Sequence, residues 1–260
     1  MTFQPRVIVI TGASSGLGAA LAKAYAQRGN VLGLLGRDAQ RLEQVAQLCR
    51  ARGTQVETAL VDVCDAQAME NWLAEFDAVH AIDLIIANAG ISGGTADGVE
   101  SAQQTYRIID VNVLGVMHTV LPVIPWMQAR GHGHIALVSS VAGLRGLPSA
   151  PAYSTSKAAV KAWGEGLRGE LQPHGVGVSV ICPGFIRTPM TDVNPFPMPF
   201  MLDADNAAQR VVKGIARNAS RIMFPWQIAL PLLLLSYLPP VLSDWIAARM
   251  PGKPPQEFKG

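Results

Sequence analysis

Tyr153 and Lys157 stand four residues apart in Tyr153-Ser154-Thr155-Ser156-Lys157, a spacing that brings a phenol and an ammonium to one face of a helix. A free phenol titrates near ~10, so it exchanges protons close to neutrality only with positive charge beside it. Lys157 is placed to supply that charge. As a bare pair the two prove little, because tyrosine and lysine at this spacing also occur on ordinary helices. Ser140 raises their weight. It follows an apolar strand predicted over 134–139, and a helix predicted over 153–171 starts at the same sheet edge, where open α/β sheets bind ligands. The Ser140 hydroxyl could hydrogen-bond an oxygen undergoing reaction, or it could cap the strand end.

A second constellation is Thr11-Gly12-Ala13-Ser14-Ser15-Gly16-Leu17-Gly18, between a strand predicted over 6–11 and a helix over 17–28. The amides and dipole of a helix N-terminus favour a pyrophosphate there. Gly12 permits a tight turn, Gly16 lets backbone approach phosphate with no Cβ between, and Gly18 allows close packing of helix on strand. A plain glycine turn is the alternative, which the strand-turn-helix context disfavours. Cofactor choice turns on Gly36-Arg37-Asp38, after the second strand. Asp38 could accept from ribose hydroxyls and favour NAD, whereas Arg37 could pair with a 2′-phosphate and favour NADP. The balance favours NADP, because the position directly after the strand holds Gly36 rather than an acid and Asp38 suits the cap of the next helix. Arg37 could also be only a solvated surface charge.

Alternating short apolar runs and helical periodicities position these groups. Strands are predicted over 6–11, 31–35, 56–61, 83–87, 134–139 and 176–182, and helices over 17–28, 39–52, 66–76, 102–130 and 153–171. The expected fold is α/β, a Rossmann-like doubly wound parallel sheet of order 3-2-1-4-5-6-7 with helices on both faces. A helix over 203–216 and a strand over 221–224 complete it. The stretch 183–202 is irregular, with five prolines among Phe185, Met190, Phe196, Met198, Phe200 and Met201. A loop so apolar should cover something, either an apolar ligand or the C-terminal tail. The expected organisation is a dinucleotide-binding and catalytic domain over 1–224, with a substrate loop over 185–202, and an apolar helical extension over 225–260.

Composition excludes several classes. The 260 residues are 49% hydrophobic and 15% charged, enough to bury a sizeable core, and a net charge of +2 gives no footprint for nucleic acid. Cys49, Cys64 and Cys182 are too few and scattered for a disulfide framework, which fits a reducing, cytoplasmic compartment. His80, His118, His132, His134 and Cys64 form no ligand pattern, so no metal is expected. The N-terminus reads as a strand rather than a secretion leader.

These motifs together resemble the short-chain dehydrogenase/reductase family, over about 6–223. Thr11 through Gly18 is similar to its Thr-Gly-x-x-x-Gly-x-Gly, Ala87-Asn88-Ala89-Gly90 to its Asn-Asn-Ala-Gly, and Tyr153 with Lys157 to its Tyr-x-x-x-Lys. The resemblance extends to Ser140, to Asn112 as the helical asparagine of the tetrad, to Pro183-Gly184 with Thr188 on the nicotinamide side, and to Asp62-Val63 at the adenine. Ala87 is the one departure. The resemblance implies that Tyr153 donates a proton as hydride reaches a carbonyl. Ser140 then bonds the oxygen, Lys157 lowers the tyrosine pKa and holds ribose, and Asn112 seats a relay water. For Ser140 and Asn112 the plain alternatives are a strand-end cap and a mid-helix amide bonded to backbone. The resemblance further implies a homodimer or homotetramer built on the helices bearing Asn112 and Tyr153. The leading expectation is NADPH-linked reduction of a hydrophobic ketone or aldehyde. An NAD-linked alcohol or hydroxysteroid-type dehydrogenase and a non-catalytic dinucleotide sensor are the alternatives.

The tail is the least ordinary segment. Residues 228–242 are almost wholly apolar, but Pro231, Pro239 and Pro240 interrupt them, and the run is shorter than the ~20 residues that span a bilayer. It could lie on the inner face of a membrane through 225–250, with Trp226, Tyr237 and Trp245 at headgroup level and Arg249 and Lys253 near phosphates. It could equally bury against a partner subunit or roof the site.

Overall fold

Seven short runs become strands of one sheet; the central ones are apolar and buried on both faces, whereas the edge strand Gln55–Ala59 buries only Val56. They are β1 (Val7–Thr11), β2 (Val31–Leu35), β3 (Gln55–Ala59), β4 (Leu84–Ala87), β5 (Gly133–Val138), β6 (Val176–Pro183) and β7 (Arg221–Phe224). The computed structural model describes residues 2–95 and 98–249. All pairings in the sheet are parallel, in the order β3-β2-β1-β4-β5-β6-β7, as the crossover rule predicts. Alternation along β1 serves two cores. Ile8 and Ile10 face one with Leu21, Ile215 and Phe224, while Val9 faces the other with Leu73, Val120 and Val160.

The first core is covered by α1 (Gly16–Tyr25), α2 (Ala39–Arg50) and α9 (Ala204–Ala216). On the second face lie α3 (Ala66–Val79), α4 (Ala102–Ile109), α5 (Gly115–Val120), α6 (Val123–Arg130) and α7 (Pro151–Leu171). Helix α1 stops three residues short of the predicted end, where Asn30 Nδ2 donates to the Tyr25 carbonyl at 2.9 Å and ends the ladder. The single helix predicted over 102–130 is interrupted twice. A π turn occupies Asp110–Leu114, and the chain loosens at Leu121-Pro122, because neither Pro122 nor Pro125 has an amide hydrogen to continue the ladder. By length and composition this stretch could cross a membrane, but Ile108, Val120 and Val123 are fully buried in the protein.

Helix α7 begins at Pro151, two residues before the predicted start. Pro sets the first turn, and Glu100 Oε2 accepts from the Ala152 amide at 2.8 Å, so an acid from a distant loop caps the helix that carries Tyr153. The irregular 183–202 segment holds two short strands, Ile186–Arg187 and Leu202–Asp203, that pair only with each other, and one helical turn, α8 (Pro189–Asp192). After β7 the tail forms α10 (Trp226–Leu235) and α11 (Pro240–Ala247). Lys253 and the rest of 250–260 lie outside the described residues.

Candidate active site

The carboxyl ends of β1, β2, β4, β5 and β6 open on a cleft of about 390 Å³. Gly12 and Gly16 adopt left-handed φ of 66° and 54°. A Cβ on Gly12 would lie 2.8 Å from Ala89 Cα, and one on Gly16 would lie 3.0 Å from Thr188 Cγ2. On Gly18 a Cβ would overlap the Gly12 carbonyl, so that glycine serves packing alone. Ser15 is the N-cap of α1 but makes no side-chain cap bond, and no acid stands in the first turn. The helix amides therefore face a glycine cradle without a protein carboxylate competing, which fits a pyrophosphate.

Most residues expected at a dinucleotide line this cleft: Ser14, Leu17, Val63, Ala89, Gly90 and Pro183 are among them, with Arg37, Asp62, Asn88, Gly184 and Thr188. Thr11, Gly18 and Asn112 lie behind its wall. Thr11 is 1% exposed, and its Oγ1 accepts from the amides of Asn88 and Ala89, each at 3.1 Å. In return Asn88 Nδ2 donates to the Thr11 carbonyl at 2.9 Å. These bonds lock the loop after β4 onto the end of β1.

The two signals at the end of β2 both line the cleft but make different contacts. Asp38 caps α2, accepting from the Arg41 amide at 3.0 Å, and pairs with Arg41 Nε at 3.3 Å. Arg37 reaches Asp62 at 3.6 Å and stays 59% exposed beside the cleft. Burial raises the Asp62 carboxyl, but the Cys64 amide and Arg107 outweigh it and hold the group below its ordinary value. Arg41 also lines the cleft and went unread in the sequence; its signal was a second cation four residues after Arg37.

At the other end of the cleft, Lys157 is 4% exposed and donates to the Val138 carbonyl at 2.9 Å. Burial pushes this ammonium down to about 8. Its Nζ lies 5.8 Å from the centre of the Tyr153 ring. Burial pushes the Tyr153 phenol above its ordinary value, with a hydrogen bond from Ser140 acting the other way. Ser140, two residues beyond β5, caps the short turn Val141–Gly143, accepting from the Ala142 amide at 3.1 Å, and still reaches the phenol, so capping and a place at the phenol coexist. Asn112 is fully buried in the π turn. Its Oδ1 accepts from the Ile91 amide at 2.8 Å, while Nδ2 donates to the Ile91 carbonyl at 2.9 Å and to Ser156 Oγ at 3.0 Å. The side chain is thus committed to backbone and to α7, which ties the loop after β4 to the helix of Tyr153. Ser139, absent from the sequence reading, adds a bond of 2.6 Å to the Lys157 carbonyl.

Ser140 and Tyr153 belong to two cavities at once. Beyond them opens a second pocket of about 930 Å³, bounded by Phe185, Met190 and Phe196 on one side and by Ile228, Leu232 and Leu235 of α10 on the other. Loop and tail thus enclose a space between them, rather than simply packing together. Among the described residues no cluster of His, Cys, Asp and Glu could hold a metal.

A doubly wound parallel sheet whose carboxyl edge gathers a glycine cradle, a serine, a phenol and a buried ammonium defines a dinucleotide-dependent oxidoreductase. Residues 6–195 match the family described as short chain dehydrogenase, and the chain belongs to that family. An uncharacterized oxidoreductase of Myxococcus xanthus is 40% identical over 247 residues, 94% of this chain and 97% of that one. Among solved structures, a short chain dehydrogenase/reductase from Burkholderia phymatum in complex with NAD superposes with a TM-score of 0.82 at 28% identity, covering 99% of this chain and 100% of that one. A short-chain dehydrogenase from Sphingobium yanoikuyae in complex with NADPH gives 0.78 at 27% identity, covering 94% and 96%. The protein is therefore an oxidoreductase acting between alcohol and carbonyl groups.

Proposed function

We propose that the protein reduces bulky apolar ketones or aldehydes with NADPH. The observation that carries this reading is the meeting of a large, mostly apolar pocket with the glycine-lined cleft at Ser140 and Tyr153. The nicotinamide, when bound, supplies the hydride. Tyr153 donates its phenolic proton to the carbonyl oxygen, and Ser140 holds that oxygen while also bonding the phenol. Lys157 provides a buried positive charge beside the phenol and for the ribose hydroxyls. Asn112 acts by positioning α7 and the loop after β4 through Ile91 and Ser156.

Arg37 and Arg41 at the cleft rim support a 2′-phosphate, while Asp38, which lines the same rim, is engaged as the cap of α2 and with Arg41. NAD is the alternative cofactor, and alcohol oxidation the alternative direction. Residues 1–224 form the cofactor and catalytic unit, 185–202 the substrate loop, and the tail its roof. Exposed Tyr106, Leu114 and Leu121 on the Asn112-bearing helical stretch support assembly as a homodimer or homotetramer, and the three free cysteines support a cytoplasmic setting. NADPH and NADH consumption measured across straight-chain and cyclic ketones of increasing size tests the reading. Rising kcat/KM with apolar size, and preference for NADPH, are expected; preference for small polar ketones or for NADH contradicts it.

A further inference from the structure

Helices α10 and α11 have two apolar sides. Ile228, Leu232 and Leu235 wall the 930 Å³ pocket, while Trp226, Tyr237, Val241 and Trp245 line none of it and are each at least 57% exposed. A helix that is apolar all round is stable in water only when both sides are covered. Residues 226–249 contain only two charged side chains, Asp244 and Arg249. Asp244 is neutralised by Arg145 at 2.6 Å, and the Arg249 guanidinium lies 3.7 Å from the centre of the Trp245 ring, donating to the Trp245 carbonyl at 2.6 Å. An apolar, aromatic face with one cation, Arg249, at its edge results.

We infer that this face docks on an anionic lipid bilayer, with α10 and α11 lying in the interfacial plane. Charge complementarity selects the bilayer. A second copy offers Arg249 only Asp244 within the same face, already paired with Arg145, whereas anionic headgroups offer it free charge. Tryptophan and tyrosine suit the headgroup boundary, and a helix of ten residues can lie in that boundary but cannot span it. The face also offers few hydrogen-bonding side chains to fix the register of a protein partner. Since the same helices wall the pocket, an apolar carbonyl compound dissolved in the membrane has a short route to Tyr153. That consequence rests on the pocket as the substrate site; the docking itself does not.

The full chain is mixed with vesicles of phosphatidylglycerol and phosphatidylcholine, and with phosphatidylcholine alone, and the sedimented fraction is measured. The comparison is a variant carrying Trp226→Ser, Tyr237→Ser, Val241→Ser and Trp245→Ser. Quenching of tryptophan fluorescence by bromine-labelled acyl chains is read on the wild type, and turnover of a water-soluble ketone on both proteins. Expected are sedimentation with the anionic vesicles, quenching, and at least a tenfold loss of partitioning in the variant with soluble turnover retained. Wild type that neither sediments nor is quenched overturns the inference, as does a variant that sediments equally. Sedimentation velocity showing a wild-type dimer that the variant abolishes, without vesicle binding, overturns it in favour of a second copy. Failure of the reductase reading would appear instead as absent ketone turnover in both proteins, with vesicle binding intact.

Discussion

The two cavities that meet at Tyr153 are built by opposite means. The cofactor cleft is made of backbone, glycines and short polar side chains whose atoms are tied across strand ends, such as Thr11 to Asn88 and Asn112 to Ile91. The pocket beyond it is enclosed by thioethers, rings and branched side chains from an irregular loop and a tail. The first kind of site tolerates little change of shape, because a Cβ at Gly12 or Gly16 would crowd Ala89 or Thr188 and both glycines hold left-handed φ. The second can change its occupant by exchanging one apolar side chain for another. Reaction class and substrate choice therefore reside in different parts of the chain.

Substitutions in each cavity should separate the two properties. On the cofactor side, Lys157→Met is expected to cut turnover by about a thousandfold. The same change should alter the pH dependence of stability. The folded pKa of Lys157 is depressed, so its burial costs most below about 8, and wild-type stability gains as pH rises from there towards the ordinary value of 10.5. The variant should lack that gain, as thermal melting of the two proteins at paired pH values would show. Replacing both Arg37 and Arg41 by Ala should raise the KM for NADPH by about ten- to a hundredfold while leaving that for NADH nearly unchanged. Equal effects on both cofactors would remove these side chains from 2′-phosphate recognition.

On the pocket side, Leu232→Trp should narrow the space and lower kcat/KM for bulky ketones by about tenfold, with small ketones and cofactor affinity spared. The smallest effect is expected at Asn194. Its Oδ1 is buried in the pocket wall with no hydrogen-bond partner, while Nδ2 makes only a weak contact of 3.4 Å to Met198 Sδ. A polar amide held in an otherwise apolar wall makes that wall less favourable to wholly apolar ligands. Asn194→Leu should shift preference towards wholly apolar ketones by a few-fold, measured on matched pairs with and without a hydroxyl. An unchanged ratio would leave Asn194 without a part in selection.

The same division explains how far the sequence could be read. The strand order, the glycine loop and the Tyr153-Lys157 face follow from short-range periodicity and from backbone demands that only certain residue types meet. The capping of α2 by Asp38 was legible for the same reason. The interruption of 102–130 was not, since a π turn at Asn112 is stabilised by Ile91, twenty-one residues away. Glu100 at the start of α7 and Arg107 on Asp62 are likewise contacts between distant segments. Lys157 was expected to lower the Tyr153 pKa. Adjacency on a helix does foretell their proximity, but not how deeply both groups are buried. The tail's periodicity could not assign its two sides, because both are apolar.

Tyr153→Phe, assayed for both cofactor binding and ketone reduction, tests the central claim most directly. The phenol ring and its packing remain while the transferable proton is lost. NADPH affinity should stay within about twofold of wild type, and kcat should fall by about a thousandfold. Turnover near the wild-type rate with intact NADPH binding would contradict the role given to Tyr153.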